Sequence, residues 1–187
     1  MLIATQKRKE NIAEYLLYMW QVEDMIRACQ CDDEKIEQLL VARFRGMEGI
    51  GDKQIQEIET WYLNLRNMML QEGKREKGHL QINENILIDL TDLHLRLLKN
   101  GHDAIYTSAF YSTLPIIVEL RSKEGAETVG ELETCFLALY GVLMLRLRHK
   151  EIGKETLIAV QQISKFLAQL AEKYRQWKNG ELKLDEE

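Results

Sequence analysis

The stretch QKRKENIAEYLLYMWQVEDMIRACQ, residues 6–30, decides the fold class of this 187-residue chain. Apolar side chains recur in it at steps of three and four residues, which is the spacing of one face of an α-helix. The residues of that face are Ile12, Tyr15, Met19, Val22 and Ile26. Leu17 and Trp20 point away from the face, so this helix either touches protein on two sides or presents an apolar patch to a partner.

Helical spacing continues along the chain and predicts further helices. One proline and 11 glycines are too few turn formers for a sheet protein of this length. The further helices are expected over 34–45, over 52–73, over 83–100, from 103 across Pro115, from 128, and over 155–179. We predict an all-α fold, a single-domain antiparallel bundle of six to seven helices over residues 1–180, with 181–187 as a frayed tail.

Two of these helices have unusual sequences. Residues 136–145, FLALYGVLML, are apolar on nearly every side, so the sixth helix is predicted to be the most buried one. Pro115 falls inside the apolar pattern of the fifth helix. It predicts a kink there, or a split into two pieces near Thr113.

Charge and hydropathy exclude several classes of protein. The net charge of −5 and the pI near 5.5 argue against a general affinity for nucleic acid or anionic lipid, because both need a basic surface. The longest apolar stretch, Cys135–Leu145, is well below the ~20 residues that a bilayer requires. The first residues are too short an apolar run for a secretory signal. We therefore expect a cytoplasmic protein with no membrane span.

The sequence contains none of the residue spacings that are typical of metal or redox sites. Cys29, Cys31 and Cys135 lack the CxxC spacing of zinc and redox sites, so they are interpreted as reduced thiols. A carboxylate-bridged di-metal bundle needs two Glu-x-x-His units, and only Glu76 and His79 have that spacing. No cofactor or metal is expected.

Three ionisable residues lie beside apolar stripes: Glu23, His94 and Glu119. If the fold brings them together, they form a pocket between helices that binds a small ligand or carries an enzyme's chemistry. The structural alternative pairs Glu23 with Arg27 at the rim of the core, and Glu119 with Lys123, each one helical turn apart.

A second candidate site is Arg96 with His102. Their spacing resembles the Arg-x(4–6)-His motif of the helical HEPN ribonucleases, and the resemblance implies contact of the pair with a scissile phosphate. The alternative pairs Arg96 with Asp92 one turn earlier and uses His102 or Asp103 to cap the next helix.

The last helix carries a heptad-like apolar seam. Its members are Leu157, Val160, Ser164, Leu167, Ala171 and Tyr174. The seam is either intramolecular core or a dimer interface, and its aromatic end, Tyr174 and Trp177, suits both. Together with Leu17 and Trp20 these two residues are the candidate interface, and a homodimer is the expected assembly.

The segment RKENIAEYLLYMWQVEDMIRAC, Arg8–Cys29, resembles a bacterial family catalogued as domain of unknown function 4924. The recognisable positions are Glu14, Tyr15, Trp20, Glu23 and Asp24. The resemblance implies a cytoplasmic, all-helical protein and supplies no activity, cofactor, partner or catalytic residue.

Two classes of function follow from the sequence. The favoured one is a non-enzymatic interaction or scaffold protein that self-associates, or holds a protein partner, through apolar helix faces. The alternative is a small-ligand binder or enzyme with an interhelical pocket, the HEPN-like ribonuclease among its forms.

Overall fold

The computed structural model describes residues 2–124 and 129–183, and within these ranges the chain forms eight α-helices and no strand. This confirms the all-α prediction. The helices are α1 Leu2–Glu10, α2 Ile12–Ala28, α3 Asp33–Ile36, α4 Asp52–Gln71, α5 Gln81–Asn100, α6 Ala104–Glu124, α7 Glu131–Leu147 and α8 Lys154–Lys178.

The described residues divide into two compact units. Unit 1 takes the residues up to Arg8 and Tyr18–Asn85, and unit 2 takes Lys9–Leu17 and the residues from Ile86 onward. Helices α1, α2 and α5 therefore each contribute residues to both units. Whether the units fold as one domain, and whether the helices are antiparallel, stay predictions.

The first predicted helix is two helices, because the chain breaks at Asn11. The side-chain oxygen of Asn11 accepts hydrogen bonds from the backbone N–H groups of Ala13, at 3.0 Å, and Glu14, at 3.1 Å. Asn11 thus satisfies two of the N–H groups that a helix start leaves without a helical acceptor. At the other end Gln30 and Cys31 take left-handed φ angles of 59° and 56°, and α2 ends before them.

Helix α4 forms as predicted, whereas the segment before it is irregular. One stripe of α4, with the three- and four-residue spacing of a helix face, is buried, and its members are Ile55, Ile58, Tyr62, Leu65 and Met69. In place of a regular helix over 34–45, the short α3 runs into a π-helical turn, Glu37–Val41, and a 3₁₀ turn, Ala42–Phe44. The side chain of Asp32 caps α3 by accepting a hydrogen bond from the N–H of Lys35.

Helix α7 is not the most buried helix, so that prediction is wrong. Nine of the 17 residues of α2 are buried, against five of 17 in α7. Helices α6 and α8 pack against α7. Leu137, Leu145 and Leu147 are nevertheless exposed. An apolar sequence on all sides does not by itself determine how much of a helix is buried.

Helix α6 runs through Pro115 without a split. Proline donates no backbone hydrogen bond and disturbs the turn before it. The side-chain amide of Gln162, on α8, donates to the carbonyl of Ser112 in that turn. A kink at Pro115 stays a prediction. Across the described helices, none is both long and apolar enough to cross a bilayer.

Candidate functional site

Glu23 is a polar residue of unit 1 whose side chain is 0% exposed. Its Oε1 accepts from the backbone N–H of Leu80, at 3.0 Å, and from the side-chain amide of Asn83, at 2.7 Å. Its Oε2 lies 2.6 Å from Nδ1 of His79 and 3.8 Å from the guanidinium of Arg27. Both carboxylate oxygens therefore have partners.

These contacts attach the start of α5 to α2. The first N–H groups of a helix have no helical acceptor, and Glu23 supplies an acceptor just before α5 begins at Gln81. Burying a carboxylate is costly unless it is paired and hydrogen-bonded, and here it is both. The predicted salt bridge with Arg27 exists, and it joins a fully buried carboxylate to a guanidinium whose side chain is 14% exposed.

His79 is the outward part of this cluster, since its side chain is 29% exposed. Its ring stacks on the indole of Trp20, with centroids 4.2 Å apart and an interplanar angle of 11°. Trp20 is buried, so it cannot lie on the predicted surface interface. The other expectation for Trp20, contact with protein on a second side of the helix, is confirmed.

Arg27 fixes the connection between α4 and α5. Its Nε donates to the carbonyl of Lys74 at 3.3 Å, and its guanidinium also donates to the carbonyl of Gly78. Asp24 pairs with the same guanidinium at 2.6 Å. The site is thus a clamp that holds a loop to α2. Sequence reasoning missed His79 because its partner Glu23 is 56 residues away and no local pattern links the two.

His94 is a buried titratable group of unit 2. Its Nδ1 lies 2.7 Å from the hydroxyl of Tyr106, and its ring makes edge contacts with Phe110 and Phe166. Burial lowers the pKa of His94 from 6.5 to about 4, so the imidazole is neutral near pH 7. Among the described residues no hydrogen-bond partner reaches its Nε2.

Two of the three predicted pocket residues, His94 and Glu119, belong to unit 2 and line different cavities, whereas Glu23 belongs to unit 1. His94 lines a cavity of about 250 Å³, whereas Glu119 lines a different one of about 660 Å³. No three His, Cys, Asp or Glu side chains in residues 2–124 and 129–183 gather as they would around a metal ion.

Arg96 and His102 are both exposed. His102 lines a cavity of about 490 Å³ whose described lining does not include Arg96. Asp103 takes the predicted capping role, because its carboxylate accepts from the N–H of Tyr106 at 2.9 Å. It also pairs with Lys173 at 2.6 Å, and the two contacts lower the pKa of Asp103.

The remaining interface candidates are partly buried. Leu17 is intermediate in exposure, as are Tyr174 and Trp177. The hydroxyl of Tyr174 lies 3.4 Å from the carboxylate of Asp89, and the ammonium of Lys178 lies 4.3 Å from the ring centre of Trp177. In the middle of the seam Leu167 and Ala171 are buried, so that part of the seam is intramolecular core.

The cavity beside Glu119 is a mostly apolar recess of unit 2 with a volume of about 660 Å³. It is a groove between α6, α7 and α8, and we call it the α7 groove. Its apolar lining is Ile116, Leu120, Leu137, Ala138, Val142, Met144, Leu145, Ala159, Val160 and Ile163. Charged residues Glu119, Arg148 and Glu155 are also part of the lining. Gly141 lies in the middle of α7 and faces the groove.

No curated protein and no solved structure matches the chain. One family does, over residues 1–181, and its description is Domain of unknown function (DUF4924). Two of the positions that carry the resemblance, Trp20 and Glu23, are buried members of the clamp in unit 1. The chain belongs to the DUF4924 family.

Proposed function

We propose that this protein is a self-associating interaction module, in which two copies pack together through the α7 groove. The observation that carries the proposal is Gly141. A glycine in the middle of a helix costs about 1 kcal/mol relative to alanine. A methyl group built on Gly141 would meet nothing within 4 Å among the described residues, and its φ is not left-handed. The described contacts within one copy therefore do not require a glycine at position 141. A second copy whose backbone comes close to α7 would require one.

Exposed apolar area on the same helices supports this. Five aliphatic residues of α7 and α8 are between 38% and 65% exposed: Leu137, Leu145, Leu147, Leu157 and Ile158. Their exposed fractions add up to more than two fully exposed aliphatic residues. Burying a whole side chain of this kind contributes about 1.5–3 kcal/mol, so two copies gain roughly 7–14 kcal/mol. Association costs an estimated 4–15 kcal/mol, and we therefore expect a dimer that dissociates on dilution.

The charges beside the groove suit a second copy. In a two-fold dimer each surface meets itself, so a surface that carries both signs can pair with its own copy. Arg148 on α7 and Glu155 on α8 both line the groove. Arg148 in one copy can face Glu155 in the other, which would fix the register of the two copies and disfavour other arrangements.

We place this association in the cytoplasm. All three cysteines are free thiols in the structure, although the protein contains enough of them to form one disulfide. Free thiols are typical of reducing compartments. No described residue set supports nucleic-acid binding or a cofactor as part of the proposal.

The experiment compares two aspartate variants by light scattering across a dilution series. Leu145→Asp places a charge in the groove and should leave a monomeric mass at concentrations where the parent chain is dimeric. Ile105→Asp is the matched control, because Ile105 is an exposed aliphatic residue that does not line the groove. Equal masses for the two variants would count against the groove as the interface.

A further inference from the structure

A second recess of unit 2 lies between α5 and the start of α7 and has a volume of about 250 Å³. Its apolar wall is one face of α5, formed by Leu87, Ile88 and Leu95. Ile88 and Leu95 are more than half exposed. The volume corresponds to roughly eight water-sized groups, which is the size of a small organic molecule.

The opposite wall is the start of α7. Gly130 is the N-cap residue and has no side chain to accept a hydrogen bond from the helix. Glu131, Leu132 and Glu133 follow it and line the recess with it. The first N–H groups of a helix carry partial positive charge and bind anionic oxygens when no cap occupies them.

A buried side chain points to a ligand independently of the helix. His94 lines the recess, is 1% exposed, and is held at Nδ1 by Tyr106. Its Nε2 is buried and without a partner among the described residues. If the hydroxyl of Tyr106 donates to Nδ1, the neutral ring carries its proton on Nε2 and can donate it to a bound oxygen.

The recess also contains negative charge. Asp92, Glu131 and Glu133 are among its lining residues. Their carboxylates repel a simple anion, while the positive end of α7 repels a simple cation. A molecule with a carboxylate, an ammonium group and an apolar body satisfies both sets of groups.

We propose that this recess binds a free α-amino acid with an aliphatic side chain. The ligand carboxylate accepts from the N-terminal N–H groups of α7 and from Nε2 of His94. Its ammonium group lies against the carboxylates of the recess, and its side chain packs on Ile88 and Leu95. This site is separate from the α7 groove, and the proposal does not depend on self-association.

Calorimetric titration of the full chain with L-leucine tests the proposal. We expect a dissociation constant below about 1 mM. Two truncated probes, 4-methylpentanoate and 3-methylbutylamine, carry only the carboxylate or only the ammonium group, and each should bind at least about tenfold more weakly. Failure of L-leucine to bind would overturn the proposal, and so would equal binding of either truncated probe.

Variants locate the site. His94→Phe keeps a ring among the aromatic side chains but removes Nε2, and it should weaken L-leucine binding at least about tenfold. Leu95→Ala removes an exposed wall residue, so the fold should tolerate it, and binding should weaken severalfold. Val118→Ala, which truncates an exposed aliphatic residue that does not line the recess, is the control. Unchanged binding in Leu95→Ala would overturn the proposal even if His94→Phe failed to fold.

Discussion

Replacing Glu23 with alanine removes the acceptor on which the clamp in unit 1 depends. Three donors lose their partner: Nδ1 of His79, the N–H of Leu80 and the amide of Asn83. A buried donor left without a partner costs about 1–3 kcal/mol, and breaking a buried charged pair costs about 3–5 kcal/mol. Water that enters the space left by the side chain will satisfy some of these groups. We therefore expect a loss of about 3–5 kcal/mol in the free energy of unfolding.

Urea unfolding followed by circular dichroism measures this loss. Asp24→Ala is the control, because Asp24 pairs with the same Arg27 but its side chain is 46% exposed. Asp24→Ala should lower the free energy of unfolding by at most about 1 kcal/mol, because an exposed ion pair contributes no more than this to stability. Glu23→Gln keeps one oxygen for Leu80 and Asn83 and should fall between the two. A cost for Glu23→Ala no larger than that of Asp24→Ala would refute the account of the clamp.

Two further predictions concern buried titratable groups. The pKa of His94 is about 4 in the fold against 6.5 in the unfolded chain, so the unfolded state binds the extra proton and stability falls as pH drops from 6.5 to 4. This loss reaches about 3 kcal/mol and should be absent from His94→Phe, as unfolding curves at pH 7 and pH 4 will show. Burial raises the pKa of Cys135 to about 12, so iodoacetamide at pH 8 should label it only after denaturation, and rapid labelling of the native protein would contradict its burial.

The parts of the fold that the sequence predicted well are encoded locally. The buried stripe of α4 follows from the spacing of its own side chains, and α8 begins and ends within one residue of its predicted span. Asp32 and Asp103 cap helices because the capping oxygen and its N–H partner are close in sequence. Sequence spacing is enough to predict a contact wherever the two contacting residues belong to the same segment of the chain.

The remaining features depend on what lies elsewhere in the chain. The apolar composition of α7 could not show which of its residues stay exposed after α6 and α8 pack against it. The clamp joins Glu23 to a histidine 56 residues away, so a helix-based pattern pairs Glu23 only with Arg27. The break at Asn11 had a local signal, an Asn followed three residues later by Glu14, but the apolar spacing on both sides of it concealed the interruption.

The measurement that tests self-association most directly compares the parent chain with Gly141→Ala. Thermal unfolding reports the stability of the helix, and sedimentation equilibrium reports the dissociation constant of the dimer. Alanine should raise the free energy of unfolding of the monomer by about 0.5–1 kcal/mol and weaken dimerisation at least about tenfold, because the added methyl group stands where the second backbone approaches. A parent chain that is monomeric at every concentration, or a variant that dimerises as tightly as the parent, would contradict the account.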